Sequence, residues 1–525
     1  MEVEPGASAA FAAAALPPPS EAEALKEAAN AAFSAGLYTR ALAGYSAALA
    51  LAPSAPLYSN RAACHLKLES YGSAIADADA AQALDPAFIK AAYRRGSALF
   101  ALGRVGEARR EFAEVCRVQP AAADAKAKLA ECVKAVRLKA LAEALEVAHT
   151  RPLSETLDPS SIALPAEYAG LRLPPRDASA TSASSSSMVY AAAAAAAPPA
   201  PTPPGGAGSA SASASASAAA GAGPSAGGGV PGVDEDAPSA AGVTLRFVRA
   251  LMDGFRAGSA DKCLHKRFCW ELLLRVRPLL ASYKSLVHVA WPPGAPHVNV
   301  CGDTHGQLYD TLNVFKLAGA PSPTNPFVFN GDFVDRGSFS VENVLMLFAW
   351  KLLLPDSVHL TRGNHETRNM NLMYGFSGEV KAKYDAQTMD LFAEVFQAIP
   401  LAVCVDRRVL ILHGGLFQQD GVKLDEIARI DRFREPPEGG GPTGAALMSD
   451  LLWSDPQPFP GRGPSKRGVG QSFGPDVTAR FLADNGLEYL IRSHEVKDDG
   501  YVVEHVSARL LLCARPCVRA QACTP

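Results

Sequence analysis

The fold is decided by the stretch Phe327-Val328-Phe329-Asn330-Gly331-Asp332-Phe333-Val334-Asp335-Arg336-Gly337, in which an apolar run ends in a turn rich in Gly and Asp. Residues 298–306 and 358–366 repeat this arrangement on either side. Asp303, Asp332 and Asn364 follow one another at nearly equal intervals, each of a length that fits a strand, a loop, a helix and the next strand. We therefore expect the three turns to lie at the C-terminal ends of strands, on one side of a sheet.

The three turns carry side chains that bind hard or intermediate metal ions. Asp303, His305, Asp332 and Asn364 offer oxygen and imidazole nitrogen but no thiolate, a set that suits manganese, iron or zinc. A carboxylate such as that of Asp332 can bridge two ions, which then share a hydroxide and hold a phosphoryl oxygen. This chemistry predicts hydrolysis of a phosphate ester.

Further side chains in the same contexts fit the remaining steps. His365, oriented by the carboxylate of Asp335, is a natural general acid for the leaving alkoxide, and Arg336 can bind phosphate with its guanidinium fork. His413 and His494 also end apolar runs and complete a second metal site. The other seven histidines are interpreted as surface or hydrogen-bonded core residues.

Residues 242–505 resemble the catalytic domain of the phosphoprotein phosphatase family of serine/threonine phosphatases, whose motifs they match in order and spacing. The resemblance implies two divalent metal ions (manganese, or iron and zinc) and phosphoserine or phosphothreonine substrates in proteins. It also implies an acid dyad of Asp335 and His365 and a phosphate-binding set of Arg336, Asn364 and Arg467. The implied ligands are Asp303, His305 and Asp332 for the first ion, and Asp332, Asn364, His413 and His494 for the second.

The N-terminal region is repetitive. Pro53, Pro86 and Pro120 recur at nearly equal intervals within residues 20–135. A period of about 34 with helix–turn–helix patterning is typical of tetratricopeptide repeats, and three repeats can bury a continuous core. The alternative is a plain Ala-rich helical bundle. The predicted fold is therefore an all-α tetratricopeptide domain followed by an α/β metallophosphoesterase domain with two packed mixed sheets flanked by helices.

Six polar residues of the repeats form a candidate peptide clamp. Singly, each is a solvated surface residue; together they resemble the carboxylate clamp of tetratricopeptide domains that bind the acidic C-terminal tails of heat-shock protein 90 or 70. The six residues are Lys26, Asn30, Asn60, Lys67, Lys90 and Arg94.

The order of the two domains resembles the protein phosphatase 5 branch of the same family. In that branch the repeat domain covers the active-site cleft and inhibits it, and chaperone tails or fatty acids relieve the inhibition. Glu69 matches the acidic residue that helps to hold the closed form. The resemblance implies a two-state interface between the domains that a ligand biases.

The remaining boundaries follow from composition. Residues 178–233 carry no charged side chain, so we expect a disordered segment that lets the two domains part. The predicted division is a disordered N-terminus (1–19), the repeat domain with its capping helix (20–135), a helix and connector (136–176), a low-complexity linker (177–241), the catalytic domain (242–505) and a divergent tail (506–525).

Charge, the N-terminal residues and cysteine spacing bear on possible partners and on the cellular location of the protein. A formal charge of −3 argues against nonspecific binding of nucleic acid. The first residues lack the positive start of a signal peptide, and we expect no membrane span. The 10 cysteines have no disulfide or zinc spacing, so we expect a reduced, intracellular protein. With the family resemblance, the expected location is cytoplasmic and nuclear.

The resemblance ends after His505. The family continues there with two closing strands and a loop whose tyrosine contributes to phosphate binding, so we expect lost closing strands, an exposed sheet edge and impaired activity. Three hypotheses remain: an active serine/threonine phosphatase, a non-catalytic chaperone-binding adaptor, or a metallophosphoesterase acting on nucleotides. The third is disfavoured by residues 413–415 and 465–470 and by the repeats.

Overall fold

The computed structural model describes residues 20–144, 151–175, 230–258, 264–437, 443–497, 500–505 and 510–513. No helix within these ranges combines the length and apolar character that crossing a membrane requires. The helices of the repeat region are α1 (Glu21–Ser34), α2 (Tyr38–Leu51), α3 (Ala55–Lys67), α4 (Tyr71–Leu84), α5 (Ile89–Ala101), α6 (Val105–Val118) and α7 (Ala123–Ala144).

The C-terminal region is built from helices and strands. Its helices are α8 (Leu153–Thr156), α9 (Leu245–Arg256), α10 (Lys266–Ala281), α11 (Leu308–Ala318), α12 (Ser340–Leu353), α13 (Arg368–Tyr374), α14 (Phe376–Lys383), α15 (Ala386–Ala398), α16 (Leu424–Ala428), α17 (Thr443–Trp453) and α18 (Pro475–Asn485), with a 3-10 turn at Pro159–Ser161. Its strands are β1 (Leu286–Val289), β2 (Asn299–Cys301), β3 (Phe327–Asn330), β4 (Val358–Thr361), β5 (Ala402–Val405), β6 (Val409–Leu412), β7 (Asp455–Pro456), β8 (Arg462–Pro464), β9 (Gln471–Phe473), β10 (Tyr489–Arg492), β11 (Tyr501–Glu504) and β12 (Leu510–Cys513).

The repeat region has the predicted period. Helices α2, α4 and α6 begin at Tyr38, Tyr71 and Val105, one repeat apart in each case. Ala41, Ala74 and Ala108 occupy the same place in these three helices, and each is fully buried where paired helices meet. Small side chains at this contact let the helices approach closely and bury a continuous core along the array. The prediction of three helix–turn–helix repeats followed by a capping helix fits this arrangement.

Two sheets pack face to face in the C-terminal region. The strands β2, β3 and β4 form a parallel sheet, and a mixed sheet has the order β1-β5-β6-β10-β12-β11. Val300 and Val328 of the first sheet share a buried cluster with Val403, Ile411 and Ile491 of the second. Helices cover the outer faces, and β7, β9 and β8 form a small third sheet. The predicted fold class is confirmed.

The strands that were predicted to precede the metal-binding turns are present. β2, β3 and β4 run parallel and end immediately before Gly302, Gly331 and Arg362. In the second sheet, β6 and β10 are parallel neighbours and end immediately before His413 and Ser493. Because the carboxyl ends of parallel strands meet at one edge of a sheet, all five turns converge on one side of the sandwich.

The flanks of the low-complexity segment differ from the prediction. Leu173 and Val230 are both buried in the core cluster of the catalytic region, although they belong to the predicted connector and linker. The backbone N–H groups of Leu153 and Ser154 donate to the carboxylate of Glu394 on α15. Apolar residues at the two flanks explain this packing, which composition alone did not reveal.

The low-complexity segment therefore leaves and re-enters the same catalytic core. Residues 176–229 and 1–19, on which the predictions of disorder fall, lie outside the described residues. The low-complexity segment was predicted to be the tether that lets the two domains part. This prediction is wrong, because both flanks of the segment pack on the catalytic region. The chain passes from the repeats to the catalytic region between Ala144, where α7 ends, and Leu153, where α8 begins.

Of the two closing strands that were predicted to be lost after His505, the structure describes one, β12, so the prediction is wrong for that strand. β11 pairs antiparallel with β12, and β12 pairs parallel with β10, with Leu490 opposite Leu510. The apolar run Leu510-Leu511-Leu512-Cys513 supplies the strand that the divergent tail was expected to lack. The predicted absence of the tyrosine loop falls on residues 514–525, which lie outside the described residues.

Candidate metal and phosphate site

The six predicted metal ligands come together at the strand ends. Asp332 lies centrally: its Oδ2 is 3.7 Å from Nε2 of His305 and 3.3 Å from Nε2 of His413. Nε2 of His413 is also 3.0 Å from Oδ1 of Asn364 and 3.2 Å from Nδ1 of His494. Asp332 therefore lies between His305 and His413; that it bridges two ions stays a prediction.

Asp303 closes the cluster from β2. Its Oδ1 accepts the backbone N–H of His494 at 3.3 Å and lies 3.8 Å from Nδ1 of His413. The ligand atoms of His305, Asp332 and His365 lie within 4.8 Å of one another, as do those of Asp332, His413 and His494. The second group fits one cation; in the first group both ring nitrogens of His365 face carboxylates, so a further cation beside Asp332 would take His305 and Asp303 as its ligands.

Hydrogen bonds orient the imidazoles for metal binding. Nδ1 of His413 lies 2.8 Å from the carbonyl of Asn330, and Nδ1 of His305 lies 2.9 Å from the carbonyl of Val334. Because a carbonyl only accepts, each Nδ1 carries a proton, and in the neutral form of each ring the lone pair of Nε2 faces Asp332. Nε2 of His494 is buried without a hydrogen-bond partner among the described residues. The donor set therefore fits divalent cations.

The charges in the cluster favour a cation. Burial raises the pKa of Asp303 to about 6, and burial lowers the pKa of His305 to about 3, which keeps its imidazole neutral as a ligand must be. Burial would raise the pKa of Asp332, but His413 and His365 outweigh it and lower that pKa. Burial would likewise lower the pKa of His413, but Asp332 raises it to about 9. The negative field of the carboxylates thus draws positive charge to this position.

Backbone conformation singles out the same residues. Among the described non-glycine residues with positive φ, five belong to this site, with φ between 38° and 75°: His305, Asp332, Asp335, Arg336 and His494. Left-handed backbone at such residues costs roughly 1–3 kcal/mol each and persists only where the surroundings hold it in place. The fold therefore holds these five residues in an unfavourable backbone conformation, which directs their side chains toward the same site.

The two members of the predicted acid dyad are hydrogen-bonded to each other. Nδ1 of His365 lies 2.8 Å from Oδ2 of Asp335, and both side chains are fully buried. Nε2 of His365 lies 2.8 Å from Oε1 of Glu69. Since carboxylates only accept, both imidazole nitrogens donate and His365 is not available as a metal ligand. Burial would lower the pKa of His365, but the charges of Glu69 and Asp332 raise it well above its usual value.

The predicted phosphate-binding arginines face the same point. Arg336 pairs with Oε1 of Glu69, and Nη1 of Arg467 lies 3.5 Å from Oε2 of Glu69. Arg467 is held by Asp455, whose Oδ2 accepts from its Nε at 2.6 Å, and by the carbonyl of His494 at 3.0 Å. The guanidinium of Arg467 is thereby fixed with one nitrogen aimed into the site.

Glu69 reaches this point from the repeat region. It lies between α3 and α4 with φ 57° and is 3% exposed. Burial would raise its pKa, but Arg336 and His365 lower it well below the usual range. Beside it, the hydroxyls of Tyr71 and Tyr374 are 2.6 Å apart, and the backbone N–H of Ser73 donates to the carbonyl of Lys466 at 3.1 Å. The repeat region is therefore docked over the candidate metal and phosphate site.

The structure brings together only some of the predicted clamp residues. Nδ2 of Asn60 donates to Oδ1 of Asn30 at 3.3 Å, and the hydroxyl of Tyr45 donates to the same oxygen at 2.5 Å. Lys26 pairs with Glu23 at 2.8 Å. The Nε of Arg94 is buried without a hydrogen-bond partner among the described residues, and Lys67 and Lys90 are exposed.

Three functional neighbours were missed by the sequence reasoning. The carboxylate of Glu366 accepts the backbone N–H groups of Asp332, Phe333 and Gly363, each at 2.8 Å, and so ties two turns together. Its place at the end of the motif 362–366 was a usable signal. Asn371 and Tyr374, on α13, lie in no motif that would have pointed to them.

This fold and this ligand cluster define a metal-dependent phosphoesterase, and the model of the calcineurin-like phosphoesterase family matches residues 296–498, which contain all six predicted ligands. Human serine/threonine-protein phosphatase 5 is 43% identical over 486 residues, covering 92% of this chain and 82% of that protein. Arabidopsis thaliana serine/threonine-protein phosphatase 5 is 56% identical over 274 residues, covering 52% of this chain and 49% of that protein.

A third relative, serine/threonine-protein phosphatase T of Trypanosoma brucei brucei, is 39% identical over 486 residues and is covered to 87%. The chain belongs to the serine/threonine-protein phosphatase 5 family. It is accordingly a protein-serine/threonine phosphatase with an N-terminal tetratricopeptide region.

Proposed function

We propose that this chain hydrolyses phosphoserine and phosphothreonine in proteins at the two-cation site, and that its repeat region blocks the site until a chaperone tail displaces it. The observation that carries the proposal is the carboxylate of Glu69, which is bound by His365, Arg336 and Arg467. A carboxylate is an anion of similar hydrogen-bonding character to a phosphate oxygen pair, so these three side chains form an anion-binding pocket.

The proposed metal ligands are those that converge on Asp332. Asp303 and His305 would complete one cation site with it, and Asn364, His413 and His494 the other. When bound, manganese, iron or zinc ions would polarise the phosphoryl oxygen and lower the pKa of the attacking water. The oxygen and imidazole donors accept any of these metals.

The chain's own residues supply the rest of the reaction. Arg336 and Arg467, with Asn364, would bind the phosphoryl oxygens and hold phosphorus in line with the attacking water. His365 holds a proton at Nε2 and would transfer it to the leaving oxygen of serine or threonine as the P–O bond breaks. Asp335 keeps the imidazole in position through its Nδ1 proton.

The docked repeat region supports the proposed autoinhibition. Glu69 occupies the pocket with its carboxylate on the proton donor and both arginines, so a substrate phosphate cannot enter while it is there. Tyr71 and Ser73 extend the contact beyond the pocket, to Tyr374 and Lys466. A ligand that binds the undocked repeats better than the docked ones would shift this equilibrium toward activity.

The proposed ligand is an acidic C-terminal peptide such as the tails of heat-shock protein 90 or 70. Asn30 and Asn60 already share a hydrogen bond, and Arg94 carries a buried N–H without a partner among the described residues. A terminal carboxylate and an adjacent Asp would satisfy such donors. A fatty-acid activator and a cytoplasmic and nuclear location stay predictions from the family resemblance.

The adaptor hypothesis loses part of its support. It rested on absent closing strands and an absent tyrosine loop after His505, and β12, which follows His505, pairs with both β10 and β11 in the large sheet. With the six ligands and the acid dyad assembled, catalysis is the function that the geometry favours.

The test uses the full-length chain with Mn²⁺ and a phosphoserine peptide. We expect low basal activity, a rise with Glu69→Gln, and a rise with an acidic peptide that ends in Asp with a free carboxylate but not with its amidated form. Asn60→Ala should remove only the response to the peptide. His365→Ala and Asp332→Ala should abolish turnover in every condition. Turnover that survives Asp332→Ala would exclude the proposed site, and Glu69→Gln without effect would exclude the proposed inhibition.

A further inference from the structure

One buried amide joins the two members of the acid dyad. Asn371 lies on α13 and is 1% exposed. Its Nδ2 donates to Oδ2 of Asp335 at 3.1 Å and to the backbone carbonyl of His365 at 2.7 Å. Both protons of the amide are therefore directed at the dyad, one at the side chain of Asp335 and one at the turn that carries His365.

The same segment holds the other oxygen of Asp335. The backbone N–H of Phe376 donates to Oδ1 of Asp335 at 2.9 Å, so both carboxylate oxygens are fixed from residues 371–376. Asp335 has a left-handed backbone with φ 70°, which needs support from outside its own turn. Without the amide of Asn371, Oδ2 would be held by Nδ1 of His365 alone, and the two members of the dyad could shift together.

A purely structural role explains Asn371 poorly. Its Oδ1 is buried without a hydrogen-bond partner among the described residues. A buried unsatisfied carbonyl costs about 1–3 kcal/mol, so an apolar side chain of similar size would pack here at lower cost if packing were the only demand. A side chain that lowers the stability of the fold and lies beside reacting groups is typical of a functional residue.

We infer that Asn371 is a positioning residue that holds Asp335 and His365 in the geometry for proton transfer to the leaving group. The inference rests on the proposed function, in which His365 is the proton donor. In that step the proton of Nε2 passes to the leaving oxygen, which keeps the electron pair of the broken P–O bond, and His365 is left neutral. The amide of Asn371 donates to Asp335 and to the backbone of His365, so Asn371 would act through the orientation of the dyad.

The inference makes a prediction that depends on the leaving group. A serine alkoxide leaves only with a proton, whereas 4-nitrophenolate is stable as an anion and hardly needs one. General acid catalysis contributes about 10²–10⁴-fold where a proton is needed. A misoriented dyad should therefore slow the phosphoserine reaction much more than the 4-nitrophenyl phosphate reaction.

The experiment compares kcat and KM of the full-length chain on these two substrates with Mn²⁺. Asn371→Ala and the bulkier Asn371→Leu should lower kcat on a phosphoserine peptide by about 10–100-fold, with KM little changed, and on 4-nitrophenyl phosphate by less than about threefold. The ratio of the two rates is independent of the fraction of molecules that are undocked. Asn369→Ala, two residues away on the same helix, is the matched control and should leave the ratio unchanged.

Equal losses on both substrates, or no loss on either, would overturn the inference. His365→Asn separates this failure from a failure of the proposed mechanism. If His365→Asn changes the ratio and the Asn371 variants do not, only the role of Asn371 is wrong. If His365→Asn lowers both rates equally, the assignment of His365 as proton donor is wrong.

Discussion

Replacing Gly72 with Ala should raise the basal activity of the full-length chain, because this glycine lies where the repeats press backbone to backbone on the catalytic region. Gly72 is the second residue of α4. A Cβ atom added there would lie 2.9 Å from the backbone nitrogen of Gly468, 3.0 Å from its Cα and 3.3 Å from the carbonyl oxygen of Lys466. All three are backbone atoms, which cannot turn aside as the end of a flexible side chain can.

The expected size follows from this overlap. Carbon atoms pack at about 3.5–4.0 Å, so the repeats must withdraw by roughly half an ångström or more. Overpacking of this kind costs about 1–3 kcal/mol, and here it burdens only the docked arrangement. At about 1.4 kcal/mol per factor of ten, the ratio of docked to undocked molecules should fall by about 5–150-fold. Basal activity should rise by that factor until it reaches the level of Glu69→Gln.

The chain supplies a matched control. Gly106 is the second residue of α6 and so occupies the place of Gly72 in the next repeat, and an added Cβ there meets no heavy atom within 4 Å. Both replacements gain about 1 kcal/mol of helix propensity, so their difference isolates the contact with Gly468. The assay is initial-rate hydrolysis of a phosphoserine peptide with and without the acidic activating peptide. Basal activity of Gly72→Ala equal to that of Gly106→Ala would refute the reasoning.

Three further predictions concern other parts of the molecule. Deleting residues 178–229 should leave basal and peptide-activated rates unchanged, because both flanks pack on the catalytic core; a large rise in basal rate would contradict this connectivity. Glu366→Ala should weaken activation by Mn²⁺ by about 10–100-fold in a metal titration, because three backbone N–H groups lose their acceptor. Burial lowers the pKa of Lys351 to about 7, so between pH 7 and about 10 the unfolded chain binds a proton that the folded chain does not. The free energy of unfolding of the wild type, measured by thermal or urea unfolding, should therefore rise relative to that of Lys351→Met between pH 7 and 9, by up to about 1.4 kcal/mol per pH unit. Lys383→Met is the control. Burial would lower the pKa of Lys383, but its ion pairs with Glu342 and Glu379 raise it, so this variant should show no such trend.

The metal cluster could be predicted from sequence because its rules are local. An apolar run followed by a Gly- and Asp-rich turn places a ligand at a strand end, and parallel strands bring such ends together. Asp303, Asp332 and Asn364 follow this rule in one sheet, and His413 and His494 follow it in the other. The repeat period was readable for a similar reason, since each repeat contacts mainly its neighbours.

The parts that were missed depend on contacts between distant segments. Leu510–Cys513 forms a strand by pairing with Tyr501–Glu504 and Tyr489–Arg492. Four apolar residues contain no period or motif from which these two partner strands could be predicted. The composition of residues 178–229 says nothing about where its flanks pack. Asn371 acts on Asp335 from a separate helix further along the chain, and its role follows only from the two hydrogen bonds.

The contacts of Glu69 have a consequence for how variants of this enzyme are interpreted. Arg336, His365 and Arg467 are proposed to bind the substrate phosphate or protonate its leaving group, and the same three side chains hold the inhibitory carboxylate. Replacing Arg336 with Ala therefore weakens substrate binding and also releases the repeats, two effects of opposite sign on the observed rate. In a background that carries Gly72→Ala, where docking is already weakened, the second effect becomes smaller. The loss of kcat/KM caused by Arg336→Ala should then be larger than in the wild-type chain, and a loss of equal size in both backgrounds would show that Arg336 contributes nothing to docking.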